Sequence, residues 1–293
     1  MTTLVGAGYR QELSPIFEEE GTVQVVELLL DRYGDSADSF RRAWDLGAVI
    51  GRHPVVLHGV SGNLASVVGP KASYLDLVCA RVQSTGALVY SDHLAMTHTS
   101  SHGLGHLAPN RFDQHLLDRT VGHIERFVDV LAPLGCPLLL ENLAYEVRLP
   151  GSSWTAEEFT LRLLDATPSW SLLLDVTNVW VNAKNFGFDP HDFVVALPPS
   201  RVAAMHLAGP EKFGLQWIDT HGAAVQDEIF DLLAFTMDQP GIEPTALVVE
   251  RDGNFRGAIP EVREELRRCR SILANRHSVR AQVDPTPAAS PPA

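Results

Sequence analysis

Histidines and carboxylates recur in this sequence where short apolar runs end. VVELLL holds Glu27, VVLH ends at His58, and ALVYSDH ends at Asp92 and His93. PLLLEN ends at Glu141 and Asn142, SLLLDVTN at Asp175 and Asn178, VAAMH at His206, and ALVVERD at Glu250 and Asp252, while IDTHG supplies Asp219 and His221. Imidazole and carboxylate without thiolate is a donor set for iron, manganese or zinc, and the residue types do not choose among them. Gathered in one cleft, His58, His93, Glu141, Asp175, His206, Asp219, His221 and Glu250 would bring several negative charges out of water, a cost that bound cations offset. One ion rarely takes more than about six ligands, so a set this large favours two or three ions sharing carboxylates. Singly, each residue reads as well as a capped or core-satisfied group. Glu27 and Asp252 equally suit ion pairs with Arg10 and Arg251. Their joint occurrence at successive run ends carries the metal reading.

Short runs rich in Val and Leu are strands buried on both faces, as in a parallel sheet covered by helices. Between them lie segments whose apolar residues recur three or four apart: Phe40 to Val49, Ser73 to Val82, Asp113 to Leu131, Thr155 to Leu164, Asp227 to Met237 and Glu261 to Leu273. Successive strand-end residues are 31, 35, 48, 34, 31 and 44 positions apart from Glu27 to Glu250, each long enough for a βα unit. With LVGAGYR as a first strand the count is eight, which predicts a TIM (β/α)8 barrel over residues 1–277 with its chemistry at the C-terminal strand ends. A doubly wound sheet would need a third glycine after Gly6 and Gly8, where Gln11 stands instead. From Ser278 to Ala293 the Pro- and Ala-rich sequence is expected to be a disordered tail.

The net charge of −13, from 23 Lys and Arg against 36 Asp and Glu, repels a phosphate backbone and argues against a nucleic-acid partner. Cys79, Cys136 and Cys269 are odd in number and lack CxxC spacing, so neither disulfides nor a thiolate zinc site is expected, and a reducing cytoplasm fits. No basic segment precedes a long apolar one at the N-terminus, and no run reaches the roughly 18 residues of a membrane span. In MTHTSSHGLGH, His98, His102 and His106 have the spacing of a helical metal face, but Ser100, Ser101, Gly103 and Gly105 oppose a helix, and a mobile loop over the mouth is expected. Trp180, Trp217 and Phe186 read as pocket wall or core, because no basic stripe accompanies them.

The blocks HGVSGNLAS, SDHLA, ENLAY, LLLDVTNVWVNAKNFGFD, MHLAG, IDTHGAAV and VVERDGNF, in this order from about Gly6 to Leu273, closely resemble the multinuclear non-heme iron-dependent oxidative enzymes. That family includes the iron enzyme of methanobactin biosynthesis. The resemblance implies a TIM barrel with two or three irons, mixed-valent Fe(II)/Fe(III), and O2 as co-substrate. It implies oxidation of a residue, most often cysteine, in a ribosomally made precursor peptide whose leader is gripped by a separate partner protein. On the family pattern the ligands are His58, His93, Glu141, Asp175, Asn178, His206, Asp219, His221 and Glu250. Asp252, adjacent to Glu250, is assigned proton transfer or support of the ligands. Pro210, Phe186, Leu143 and Ala144 depart from the residues common in relatives, and they bear on the substrate more than on the metal.

Two other classes compete with this reading. A redox-neutral metal barrel, either a sugar isomerase or an endonuclease-type phosphodiesterase, would also gather histidines and carboxylates at strand ends. An isomerase typically needs a positioned lysine, however, and only Lys184 and Lys212 lie near ligand segments, while the acidic balance opposes a nuclease. A binding protein that keeps the metal without turnover is the third.

Overall fold

The computed structural model of the chain describes residues 2–32 and 46–283. Eight parallel strands, β1 (Leu4–Gly8), β2 (Val25–Leu29), β3 (Val55–His58), β4 (Tyr90–His93), β5 (Leu138–Glu141), β6 (Ser171–Asp175), β7 (Val202–Ala208) and β8 (Ala246–Glu250), close into a barrel. Each pairs with its neighbour in sequence, and β8 returns to β1. This is the predicted (β/α)8 architecture.

Alternation along a strand decides what each residue does here. Val25, Val56, Val89, Leu139, Leu173, Ala204 and Val248 point into the barrel and form one apolar cluster. Two positions further along the same strands stand Glu27, His58, Ser91, Glu141, Asp175, His206 and Glu250, all buried. The lower barrel is therefore a dry plug, and the next layer up is polar and ionisable. The intervening residues, such as Val26, Leu57, Leu140, Leu174, Leu207 and Val249, point outward into the larger core under the helices.

Those helices are α1 (Ser14–Glu18), α2 (Leu46–Arg52), α3 (Ala72–Thr85), α4 (Gln114–Leu131), α5 (Ala156–Ala166), α6 (Val176–Phe186), α7 (Pro190–Ala196), α8 (Asp227–Asp238) and α9 (Ala258–Val283). Their starts follow capping chemistry: Asp113 accepts the Leu116 N–H before α4, and Thr155 with Glu158 makes a reciprocal capping box before α5. Of the helix expected over Phe40 to Val49, residues 40–45 lie outside the described residues. Helix α9 continues through Val283, past the boundary expected at 277, and residues 284–293 of the expected tail also lie outside the described residues.

Two hairpins rise from the C-terminal face, Met96–His98 with Gly103–Ala108 and Glu211–Phe213 with Gln216–Ile218. The first stands where an irregular loop over the mouth was expected, and its form is a paired hairpin. Thr99 closes its turn by donating its N–H to His102 O at 2.8 Å and accepting the His102 N–H on its hydroxyl at 3.1 Å. Gly105, inside the second strand at φ +71°, supplies a backbone angle that a helix cannot use, in a pairing whose register shifts.

The inward-facing glycines of β1 have a packing reason. A methyl on Gly6 would lie 1.7 Å from Val25 O, and one on Gly8 3.3 Å from the Arg10 guanidinium. Gly6→Ala is expected to force β1 from β2 and to destabilise the fold by more than about 3 kcal/mol, read as a fall in the denaturant midpoint.

Candidate metal centre

His58 and His93 come from β3 and β4 and are both buried. Ser91 donates its hydroxyl to Leu57 O at 3.2 Å, so its oxygen accepts the Nδ1–H of His58 at 2.8 Å. His93 likewise donates Nδ1–H to Gly59 O at 3.1 Å. These bonds leave Nε2 of each ring as a bare lone pair. The two Nε2 atoms lie 3.3 Å from one another, and each lies 3.3 Å from Glu141 Oε2. Three acceptors thus converge with no donor among them. Burial, reinforced by the neighbouring His93 and His206, holds the His58 imidazole well below its ordinary value, so it stays neutral as a ligand must.

His206 sits in the next sector of the same layer. Its Nε2–H donates to Glu27 Oε2 at 2.6 Å, which turns Nδ1 toward Glu250 Oε2 at 2.9 Å and Glu141 Oε1 at 3.7 Å. Burial works against a charge on His206, yet Glu250, Glu27 and Glu141 together raise its pKa well above the ordinary value. Burial would raise Glu250 too, but His206 and His221 outweigh it and hold that carboxyl well below the usual range. Asp175 is pushed well above its usual value by burial, with Asp219 and Glu141 adding to it. Its Oδ1 caps α6 by accepting the Asn178 N–H at 2.6 Å, while Oδ2 has no partner. Asn142 fixes that strand end from both sides, accepting Asp175 N–H at 3.0 Å and donating to Asp175 O at 2.9 Å.

Helix α6 turns one face of asparagines toward the mouth. Asn178, Asn182 and Asn185 donate to Asn142 O, Leu143 O and Tyr145 O at 3.0, 2.8 and 3.2 Å, and Asn185 also accepts the Trp217 N–H at 2.9 Å. This spacing repeats on one helical face and pins both the loop after β5 and the second hairpin. The hairpin delivers Asp219 and His221. His221 adopts φ +52°, unusual for a side-chain-bearing residue, and holds Asp219 Oδ2 at 2.8 Å and Asp252 Oδ2 at 3.1 Å.

Three groups of possible ligand atoms, each within 4.8 Å of one another, result: His58, His93 and Glu141; Glu141, Asp175, His206 and Glu250; and His221, Glu250 and Asp252. Glu141 belongs to the first two and Glu250 to the last two, so each carboxylate can bridge neighbouring sites. Glu141 Oε2, Asp175 Oδ2, Asn178 Oδ1 and Asp219 Oδ1 are buried without a hydrogen-bond partner, all acceptors that a cation would satisfy. The donor set of nitrogen and oxygen fits iron, and equally manganese or zinc. A cavity of about 310 Å³ opens onto this layer, walled by Leu107, Pro109, Leu143, Ala144 and Tyr145 among others.

Some pairings differ from those read in the sequence. Glu27 holds His206 rather than pairing with Arg10, Asp252 takes the buried Arg10, and Arg251 pairs with Glu261 at 2.6 Å. Position explains the exchange: Glu27 points into the barrel two residues above Val25, whereas Asp252 lies beyond β8, level with Arg10 beyond β1. Ser91 was not anticipated, although its place two residues before His93 marks it as inward-facing. His98, His102 and His106 do not gather, since His98 is buried and the other two are exposed on the hairpin. Trp180 is buried with its ring 4.7 Å from that of Trp217, as wall and core.

If cations occupy these groups, their removal has a thermal signature. Saturation at a hundred times Kd contributes about 2.7 kcal/mol, or roughly 4–5 °C in a chain of this size. Chelation should lower the melting temperature by at least that much, and re-addition of metal should restore it.

Fold and site together define a (β/α)8 barrel whose mouth carries adjoining histidine and carboxylate groups able to hold several cations. Over residues 4–274 the chain matches the model of the RiPP precursor modification enzymes MbnB/TglH/ChrH, RiPP denoting a ribosomally synthesised, post-translationally modified peptide, and it belongs to that family. Among curated relatives, a UPF0276 protein of Pseudomonas aeruginosa (strain UCBPP-PA14) is 36% identical, covering 79% of this chain and 78% of its own. A UPF0276 protein of Acaryochloris marina is 31% identical over 86% of this chain and 90% of its own. Solved structures share the fold alone: a D-tagatose 3-epimerase-like protein (TM-score 0.59, 11% identity, 96% of this chain and 100% of that one) and an L-ribulose 3-epimerase (TM-score 0.59, 14% identity, 99% and 100%).

Proposed function

We propose that the chain is an iron- and O2-dependent oxidative enzyme that modifies one residue, cysteine in the first instance, of a ribosomally made precursor peptide. The convergence of His58 Nε2, His93 Nε2 and Glu141 Oε2 at 3.3 Å, all acceptors, is the observation that carries it. Two or three irons, mixed-valent when active, are assigned to His58, His93, Glu141, Asp175, His206, His221 and Glu250 of these groups, with Asn178 and Asp219 adding their unpartnered oxygens. When bound, iron supplies O2 activation and the redox equivalents.

The chain's own residues do the rest. Ser91, Gly59 and Glu27 fix which ring nitrogen of His58, His93 and His206 faces the centre. Leu107, Pro109, Leu143 and Tyr145 wall the cavity and limit bulk water. Asp252, held between Arg10 and His221 with its side chain 36% exposed, is placed to pass a proton between the centre and solvent. A cavity of about 310 Å³ is far too small for a leader peptide, so recognition of the leader is assigned to a separate partner protein. The three cysteines are free thiols, in keeping with a reducing cytoplasm, and among the described residues no helix is long and apolar enough to cross a membrane.

The isomerase alternative finds no support in its lysines. Lys184 and Lys212 lie over the rings of Trp180 and Trp217, at 5.0 and 5.9 Å, and neither lines the cavity.

Protein expressed with ample iron and purified without oxygen should contain more than one iron per chain by elemental analysis. It should consume O2 with a short peptide encoded beside its gene, with a mass change on that peptide. Zinc alone under those conditions would overturn the oxidative reading.

A further inference from the structure

A second cavity of about 280 Å³ lies beside the metal cavity, between the segment leaving the first hairpin and the loop joining β5 to α5. The two are continuous along two stretches of chain. Tyr145 lines both; Pro109 and Glu146 line the metal cavity, and the residues that follow them, Asn110 and Val147, line the second. Its wall is mixed: the rings of Phe112, Tyr145, Trp154 and Phe186 and the side chains of Val147 and Leu149 stand among polar and charged residues, with Phe112 edge-on to Tyr145 at 5.7 Å and the Arg148 guanidinium lying 4.5 Å from the Phe186 ring.

Most of its polar groups already have partners. Ser152 donates to Leu149 O at 3.0 Å, Glu158 accepts the Thr155 N–H at 2.8 Å, and Glu157 accepts from Asn182 at 3.2 Å. Asn110 differs. It is only 7% exposed, lines this pocket, and its Nδ2 has no hydrogen-bond partner. A buried amide donor left unpaired costs about 1–3 kcal/mol, and a turn of the enclosed amide toward an incoming carbonyl oxygen removes that cost.

We propose that this pocket receives a substrate residue flanking the one presented to the metal centre. Its apolar or aromatic side chain lies against Phe112, Tyr145 and Phe186, and a peptide carbonyl accepts from Asn110 Nδ2. The proposal rests on the reading of the substrate as a peptide. It makes the pocket a specificity site: charged side chains are disfavoured because entering a half-enclosed pocket strips their hydration, which an apolar side chain does not lose.

The test uses the full-length, metal-loaded protein and three blocked amino acids, N-acetyl-leucinamide, N-acetyl-glycinamide and N-acetyl-lysinamide, titrated by saturation-transfer NMR. Burial of a leucine side chain, about 1.5–3 kcal/mol, predicts that the leucine amide binds at least about tenfold more tightly than the glycine amide, and more tightly than the lysine amide. Asn110→Asp keeps the shape but replaces the donor with an acceptor, and should weaken the leucine amide by roughly five- to tenfold. Val147→Trp, at a rim position 53% exposed, should block the pocket without disturbing buried groups. Equal binding of the leucine and glycine amides would overturn the proposal, as would unchanged affinity in a folded Asn110→Asp protein. If that variant fails to fold, unchanged affinity in Val147→Trp overturns it instead. Iron is measured on the same samples: iron present with no amide bound sinks the pocket alone, and iron absent with selective binding intact sinks the oxidative reading alone.

Discussion

Glu141→Ala is expected to leave the protein with at most one iron per chain and to lower turnover at least about 100-fold. Glu141 is the carboxylate common to two of the three groups, with Oε2 3.3 Å from both His58 and His93 and Oε1 3.7 Å from His206 Nδ1. On the proposed arrangement, its removal takes a ligand from two ions at once and leaves two cations facing each other without an intervening anion, where their repulsion is strongest at low dielectric. Loss of an outer partner of a ligand already costs about 10–100-fold, so loss of a shared ligand sets a higher floor. Glu141→Gln separates charge from geometry. It keeps one oxygen but presents an amide NH2 to ring nitrogens, and it should fall between the parent and Glu141→Ala. Elemental analysis of anaerobically purified protein checks both. Iron content equal to the parent in both variants would remove Glu141 from the ligand set, and the proposed arrangement with it.

For Glu27→Ala we expect metal affinity to fall by about 10–100-fold, although Glu27 lies outside the three groups of possible ligands. Its Oε2 accepts the Nε2–H of His206 at 2.6 Å, and that bond keeps Nδ1 aimed at Glu250 and Glu141. Without it the ring can turn or change tautomer. Glu27→Gln retains an acceptor and should recover most of the loss. Competition with a chelator, read as the midpoint of iron release, gives the affinities. Equal midpoints for Glu27→Ala and the parent would show that His206 is held by packing alone. The order of effects, Glu141→Ala worse than Glu27→Ala, follows because one removes a ligand and the other only its support.

Much of this arrangement is legible along the chain because strand structure is local. Val56 and His58, or Leu139 and Glu141, are two apart, and two apart means the same face of a strand. Once the runs are recognised as strands of a closed barrel, His58, Glu141, Asp175, His206 and Glu250 must all point inward at one level, and His93, two residues beyond Ser91, inward one step above it. Asp92 is the informative contrast. It is as apolar-flanked as its neighbours, yet it falls on the other parity, points outward, and accepts the Tyr90 hydroxyl at 2.5 Å and that of Tyr74 at 3.1 Å. Burial, partly opposed by His93 and Tyr90, raises its pKa to about 6.

The pairings were not legible, because they join residues that only closure of the barrel brings together. Glu27 and His206 are separated by 179 positions, and Arg10 and Asp252 by 242. Two carboxylates near two arginines in a sequence can be matched in more than one way, and register decides. The hairpin at Met96–Ala108 posed the same difficulty on a smaller scale: glycine and serine rule out a helix, but they do not distinguish a loop from a turn until the strands find each other.

Sequence alone determined the alternation of strand and helix, the barrel, and the ionisable residues of its inward layer though not Ser91, since each follows from composition and from the periods of the two regular backbones. Tertiary structure decided which nitrogen of each imidazole is left bare, that Glu141 and Glu250 each fall in two groups of possible ligands, and that Asn110 lines a second pocket with an unpartnered donor. Those outcomes depend on distances of a few ångströms between segments remote in the chain, and such distances exist only after the strands have closed.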